Sequence, residues 1–220
     1  MSEEILQQVH DAQQQLRRAG ILTTVTGEVA LSYHGVDVAI HAIELCVPSN
    51  ARTRSMNVLA TSDIEYEVLP SIETPDFYHP YKSGAACFRI PSAAGGIELH
   101  LVTDAALGFV LDAQMIESGL EPNEAHAELK ELCRGTNEAT LLRIAWPSMA
   151  ALLNGALALA AQNPSSDLEI IYLMQAERLV DANTIDEEWC SQHIADERCR
   201  ALALQLLAAK QQRQVQSDWS

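Results

Sequence analysis

The residues with the types and spacing to do chemistry are Glu44, Glu98 and His100. Glu44 closes the triplet Ala42-Ile43-Glu44 inside a long apolar run, and Glu98 and His100 are two apart in Ile97–Val102. Residues i and i+2 of a strand face the same side. Two carboxylates and an imidazole on one face, with His34 or His41 as additional donors, would make a single-metal site. The simpler reading of each histidine is a hydrogen-bonded strand or helix-end residue. Phe77-Tyr78-His79-Pro80-Tyr81-Lys82 is the most aromatic stretch. It lies in a long proline-bearing loop, a kind of segment that often carries binding contacts. Tyr78 and Tyr81 are the candidate substrate contacts there, on a lid over the cleft near Glu44; the simpler reading is a loop anchored by its rings. Nucleophilic catalysis finds little support. No G-x-S-x-G is present, and Cys87 sits within an apolar strand, where a thiol is structural.

The elements that must position these groups follow from the residue pattern. Ile5, Val9, Ala12 and Leu16 recur at helical spacing, predicting a helix over 3–19 stopped by Gly20. Ile21–Val25 is β-branched and apolar, a short buried strand. Gly27 permits a tight turn, and Glu28–His34 fits two helical turns closed by Gly35. Val38–Val47 reads as the second strand, Ala51–Ala60 as a helix and Ile64–Leu69 as a half-exposed strand. Residues 70–84 form a loop. Ala86–Ile90 and Ile97–Val102 flank PSAAGG as a hairpin, and Thr103 or Asp104 caps a short helix through Leu111. Residues 112–145 carry mixed signals. Pro147 suits a first helical position for a helix to about Gln162. Ser166 to Glu169 and Thr184 to Glu187 fit capping boxes. Ala195, Cys199, Leu202, Leu206 and Ala209 make an apolar stripe on a last helix. Trp146 and Trp189 read as packing residues and Trp219 as part of a frayed tail.

Residues 21–102 resemble the polymerase-β-type nucleotidyltransferase superfamily, especially its minimal members and divergent fungal relatives. That family's pattern is an apolar strand, Gly-Gly or Gly-Ser, a short helix, then a strand bearing Asp-x-Asp or Asp-x-Glu, with a third carboxylate on a later strand. Here Gly27-Glu28 occupies the first element, Ala42-Ile43-Glu44 the second and Ile97-Glu98-Leu99 the third. Trp146-Pro147-Ser148 leading into a helix resembles the tail of these proteins. The resemblance implies two Mg²⁺ ions held by the carboxylates, bridging a triphosphate and an attacking hydroxyl. It also implies that the glycine and the helix start lie against phosphate.

The chain departs from that pattern at three points. Ala42 offers no oxygen where the first carboxylate belongs. Glu28 stands where a small or hydroxyl residue touches phosphate, and like charges a few ångströms apart cost on the order of 1–4 kcal/mol. Residues 36–41 contain no Lys or Arg. The expectation is a degenerate metal site in a nucleotidyltransferase-like pseudoenzyme that binds a small molecule or a protein partner. Gly27 and Glu28 are its cofactor-side residues, Glu44 and Glu98 its metal-side residues, and Glu44, Glu98 and His100 its catalytic candidates. No cofactor is expected; Mg²⁺ and an NTP enter only under the alternative, a divergent transferase using Glu44 and Glu98. A third possibility is other chemistry in the same cleft.

The expected fold class is α/β (α+β): a small mixed sheet with helices over residues 1–112, then a mainly helical C-terminal bundle over 113–220, packed on it. Hydrophobic residues make up 48% of the 220-residue chain, enough to build a packed core. The formal net charge is -16. Residues 1–120 carry 6 basic and 15 acidic side chains and residues 121–220 carry 8 and 15, so neither half offers the basic field that nucleic acid requires. Five scattered cysteines without CxxC spacing indicate reduced thiols and a cytoplasmic location. The N-terminus has no signal-peptide core, and no run is long and apolar enough to span a membrane.

Overall fold

The computed structural model describes residues 5–62, 64, 66–90, 97–118 and 138–217. They form two compact units, Met1–Ser148 and Met149–Ser220. The PSAAGG turn, the middle of the 112–145 stretch and Trp219 lie outside the described residues.

The first unit begins with α1 (Ile5–Arg18). Leu6, Val9, Ala12 and Leu16 are fully buried along one face. Gly20 ends the helix at φ +69°, with Gly20 N–H donating to Arg17 O and Ile21 N–H to Leu16 O. That pair of bonds satisfies carbonyls that the helix end leaves open. Strand β1 (Thr24–Thr26) runs directly into α2 (Gly27–Tyr33). Next come β2 (Ile43–Val47), α3 (Arg52–Ala60), β3 (Glu67–Leu69), β4 (Ala86–Ile90) and β5 (Ile97–Thr103). The mixed five-stranded sheet has the order β1-β2-β5-β4-β3, with β2 and β5 parallel and the other neighbours antiparallel.

Strand alternation divides the sheet into an apolar and a polar face. Val25, Leu45, Leu101 and Ala86 share one row, and Ile43, Leu99 and Phe88 another; all are buried. Helix α3 packs on β5, and α1 packs on α3. The opposite face carries Thr26, Glu44, His100 and Cys87 in a single row across four strands.

A second, two-stranded sheet pairs β6 (Ile116–Ser118) with β7 (Ala145–Pro147). It carries the first unit as far as residue 148, because β7 also contacts β1. The buried Gln13 side chain donates to Ala145 O and accepts from Ala145 N–H, and Thr24 Oγ1 donates to the same carbonyl. The short helix α4 (Glu138–Leu141) precedes β7. Trp146 is fully buried and stacks on Tyr33 at 4.4 Å.

The second unit consists of α5 (Met149–Gln162), α6 (Asp167–Ala182), α7 (Glu187–His193) and α8 (Glu197–Ser217). Ser166 caps α6 by accepting from Glu169 N–H, and Glu169 reaches back to Ser165 N–H. At the other end of α6, Lys210 Nζ donates to Val180 O at 2.7 Å and Asn183 O at 2.8 Å. A cation there satisfies terminal carbonyls and opposes the helix dipole.

Several boundaries differ from the sequence expectation. Strand β3 starts at Glu67 rather than Ile64, and the short helix expected through Leu111 is a single turn at Ala105–Leu107, ended by Gly108 at φ +77°. Strand β2 starts at Ile43 rather than Val38, because its neighbour β1 turns into α2 at Gly27 and offers no ladder before Glu44. For the same reason β1 lies at 24–26. Pro147 belongs to β7, opposite Ile116, and α5 starts at Met149. The cap of α7 is Asp186, which accepts from Trp189 N–H, rather than Thr184. On α8 the buried positions are Cys199, Ala203 and Leu207, while Ala195 is exposed.

Leu45 is fully buried on the central apolar row. Replacing it with alanine is expected to lower stability by about 2–5 kcal/mol in urea denaturation; a negligible change would remove that row from the core.

Candidate active site

The site is built where β1 meets α2. Gly27 takes φ +64°, and a Cβ there would lie 2.3 Å from Glu44 Cδ and 2.4 Å from each carboxylate oxygen. The glycine is therefore required twice, for its left-handed backbone and for the space that Glu44 fills. Glu44 is fully buried and lies directly across from Thr26 on one side and His100 on the other. Its partner comes from the loop: Lys82 Nζ lies 2.8 Å from Glu44 Oε1, and the lysine side chain is itself only 8% exposed. The two groups meet at ion-pair distance without hydrogen-bond alignment, so the contact is held by charge. The same row holds two buried polar atoms with no hydrogen-bond partner among the described residues, Thr26 Oγ1 and His100 Nδ1.

Glu28, in the first turn of α2, is also buried. It accepts from His41 N–H at 2.7 Å and lies 3.0 Å from His41 Nδ1, whose ring is otherwise exposed. His79 Nε2 approaches the same carboxylate at 3.6 Å, while His79 Nδ1 lies 2.8 Å from Asp76. Burial raises the Asp76 carboxyl, but hydrogen bonds from His79 and from Tyr78 N–H outweigh it and hold the group below the usual carboxylate range.

The other sequence candidates are placed as follows. Glu98 is exposed, lies 3.0 Å from His100 Nε2 and pairs across the ladder with Arg89. It shares a sheet face with Glu44. Tyr81 is buried among Cys46, Ala85, Val102 and Leu111. Burial pushes its phenol well up, and the charge of Glu44 and a hydrogen bond to its carboxylate add to that. Tyr78 is exposed, edge-on to Phe77 at 5.5 Å. His34 Nε2 meets Pro147 O at 2.8 Å, away from Glu44's partners. Cys87 is buried, and its thiol is pushed up by burial and then by Glu98. Among the described residues, no three His, Cys, Asp or Glu side chains are grouped to hold a metal ion.

Lys82 and Thr26 did not figure among the sequence candidates. Lys82 gives one signal: residues 55–88 contain no other Lys or Arg, so a lone cation sits in the aromatic loop of a chain rich in acids. Thr26 becomes visible only through its register with Glu44.

The sequence matches no known family pattern and no curated protein. Among solved structures, an antigenic nucleotidyltransferase-like protein from Paracoccidioides brasiliensis superposes with a TM-score of 0.52 at 11% identity, covering 97% of this chain and 90% of that one. The fold is nucleotidyltransferase-like. The antibiotic-resistance factor ANT(2'')-Ia aligns in solution at a TM-score of 0.45 and 12% identity over 100% of both chains. Its crystal complex with adenylyl-2''-tobramycin aligns at 0.43 and 11% identity, over 93% of this chain and 97% of that one. At these identities the likeness concerns the nucleotidyltransferase-like fold alone.

Within this fold the buried pair sets two expectations. Lys82→Met leaves the Glu44 carboxylate without its cation and is expected to destabilise by about 3–5 kcal/mol, with the Glu44→Gln/Lys82→Met double variant recovering part of the loss. Urea midpoints of the single and double variants check both. Gly27→Ala forces a Cβ onto the Glu44 carboxyl at a left-handed φ and is expected to cost at least about 2 kcal/mol; a silent substitution would contradict the close approach.

Proposed function

We propose that this chain is a nucleotidyltransferase-like protein that no longer transfers nucleotides and acts by binding a small molecule or a protein partner. The observation that carries this reading is the Lys82 ammonium 2.8 Å from Glu44 Oε1. In-line nucleotidyl transfer needs carboxylates that hold two divalent ions. Ala42 supplies no oxygen, and the carboxylate of Glu44 already faces a buried cation. Glu28, at the phosphate side of the family pattern, is engaged by His41 and His79. The donor set therefore does not fit a pair of Mg²⁺ ions. The net charge of -16 argues against nucleic acid as the partner. No described helix is long and apolar enough to cross a membrane. The four described cysteines, Cys46, Cys87, Cys190 and Cys199, are unpaired and buried, which supports a reducing compartment such as the cytoplasm.

The test is thermal melting with Mg²⁺ and each NTP, alongside incubation with radiolabelled NTP. Ligands that bind the folded state raise the melting temperature. The expected result is no shift and no labelled acceptor. Metal-dependent labelling that is lost in Glu44→Gln would replace this reading with that of a divergent transferase.

A further inference from the structure

The segment between β3 and β4 has the build of a latched lid. Its neck is closed by two backbone hydrogen bonds, Ile72 N–H to Ala85 O at 3.1 Å and Gly84 N–H to Ile72 O at 2.7 Å. Gly84 turns the chain there at φ +72°. Inside the neck, His79 N–H bonds to Asp76 O, Lys82 N–H to His79 O and Ser83 N–H to Pro80 O. Among the described residues, the backbone-to-backbone bonds of 73–83 stay within 72–85. Compact surface loops with adjoining ends are frequently functional. The tip, Phe77 and Tyr78, faces solvent.

The lid is tied to the body at two buried carboxylates on different elements. Lys82 meets Glu44 of β2 at 2.8 Å, and His79 approaches Glu28 of α2 at 3.6 Å. Tyr81 seats between them in the cluster of Cys46, Ala85, Val102 and Leu111. Facing Lys82 is the polar row of Thr26, Glu44 and His100, with polar atoms lacking partners. Such atoms are costly in a permanently sealed core and find partners once water or a ligand reaches them.

We propose that residues 73–83 form a lid that swings on the Ile72/Gly84 neck, with Lys82 as a tethered cation that latches it shut on Glu44 and governs access to the Thr26–Glu44–His100 row. This rests on the binding-protein reading and adds the regulation of that site. Lys82 is a positioning residue here.

Hydrogen exchange followed by mass spectrometry tests the lid on the full chain. In Lys82→Met the peptide spanning 73–83 should exchange at least about tenfold faster and through an opening with little urea dependence, while peptides of β2 and β5 exchange only with global unfolding. Unchanged lid exchange overturns the latch. Lid exchange that rises with urea as steeply as the sheet's also overturns it, because the pair would then be a core staple. If that variant does not fold, wild-type exchange at sub-denaturing urea decides. Lid amides should open with little urea dependence and well before the sheet; opening only with the sheet refutes the proposal. Metal-dependent nucleotidyl transfer would sink the functional reading while leaving the exchange result standing, so the two fail separately.

Discussion

One buried contact organises the first unit: the ammonium of Lys82 against the carboxylate of Glu44. Neither charge survives burial alone, since an uncompensated ion inside a protein costs several kcal/mol. The pair thus ties a loop residue to a central strand and fixes where the loop must lie. The glycine at the start of α2 leaves the room that the carboxylate fills. Loop, strand and helix start are mutually determined by one cation, one anion and one missing side chain.

The polar face of the sheet follows from register. In the β2–β5 pair Glu44 is opposite His100, and β1 places Thr26 on the other flank. Residues 26, 44 and 100, far apart in the chain, become neighbours because three strands lie side by side with matched pleats. A one-residue slip in β2 would exchange this row for Ile43 or Leu45, putting apolar side chains on the polar face and a charge in the core. The buried row of Ile43, Leu99 and Phe88 on the other face opposes such a slip.

Much of the fold is readable in the residue pattern. The Gly27 turn, the helix after it, the apolar strand at Glu44 and the 97–102 strand all stand out through glycine placement and apolar runs. The nucleotidyltransferase likeness follows from their spacing. Boundaries are where the pattern misleads. Val38–Ile40 looks like strand by composition, but a strand needs a neighbour, and β1 has already become helix at that point. Pro147 has helix-start chemistry, yet its lack of an N–H suits an edge position opposite Ile116 equally well. The lysine at the heart of the site is hidden for another reason. A lone Lys in a loop reads as solvated, and only tertiary structure brings it 38 residues back to Glu44.

The strand order has a consequence for how the chain assembles during synthesis. β5 lies between β2 and β4, so it alone joins the β1–β2 pair to the β4–β3 pair. It is also the last of the five to emerge from the ribosome. Until residue 103 has been made, two half-sheets with open edges must wait for their common centre. Because non-local strand pairing is intrinsically slow, the interval before β5 docks is the nascent chain's period of greatest exposure to aggregation.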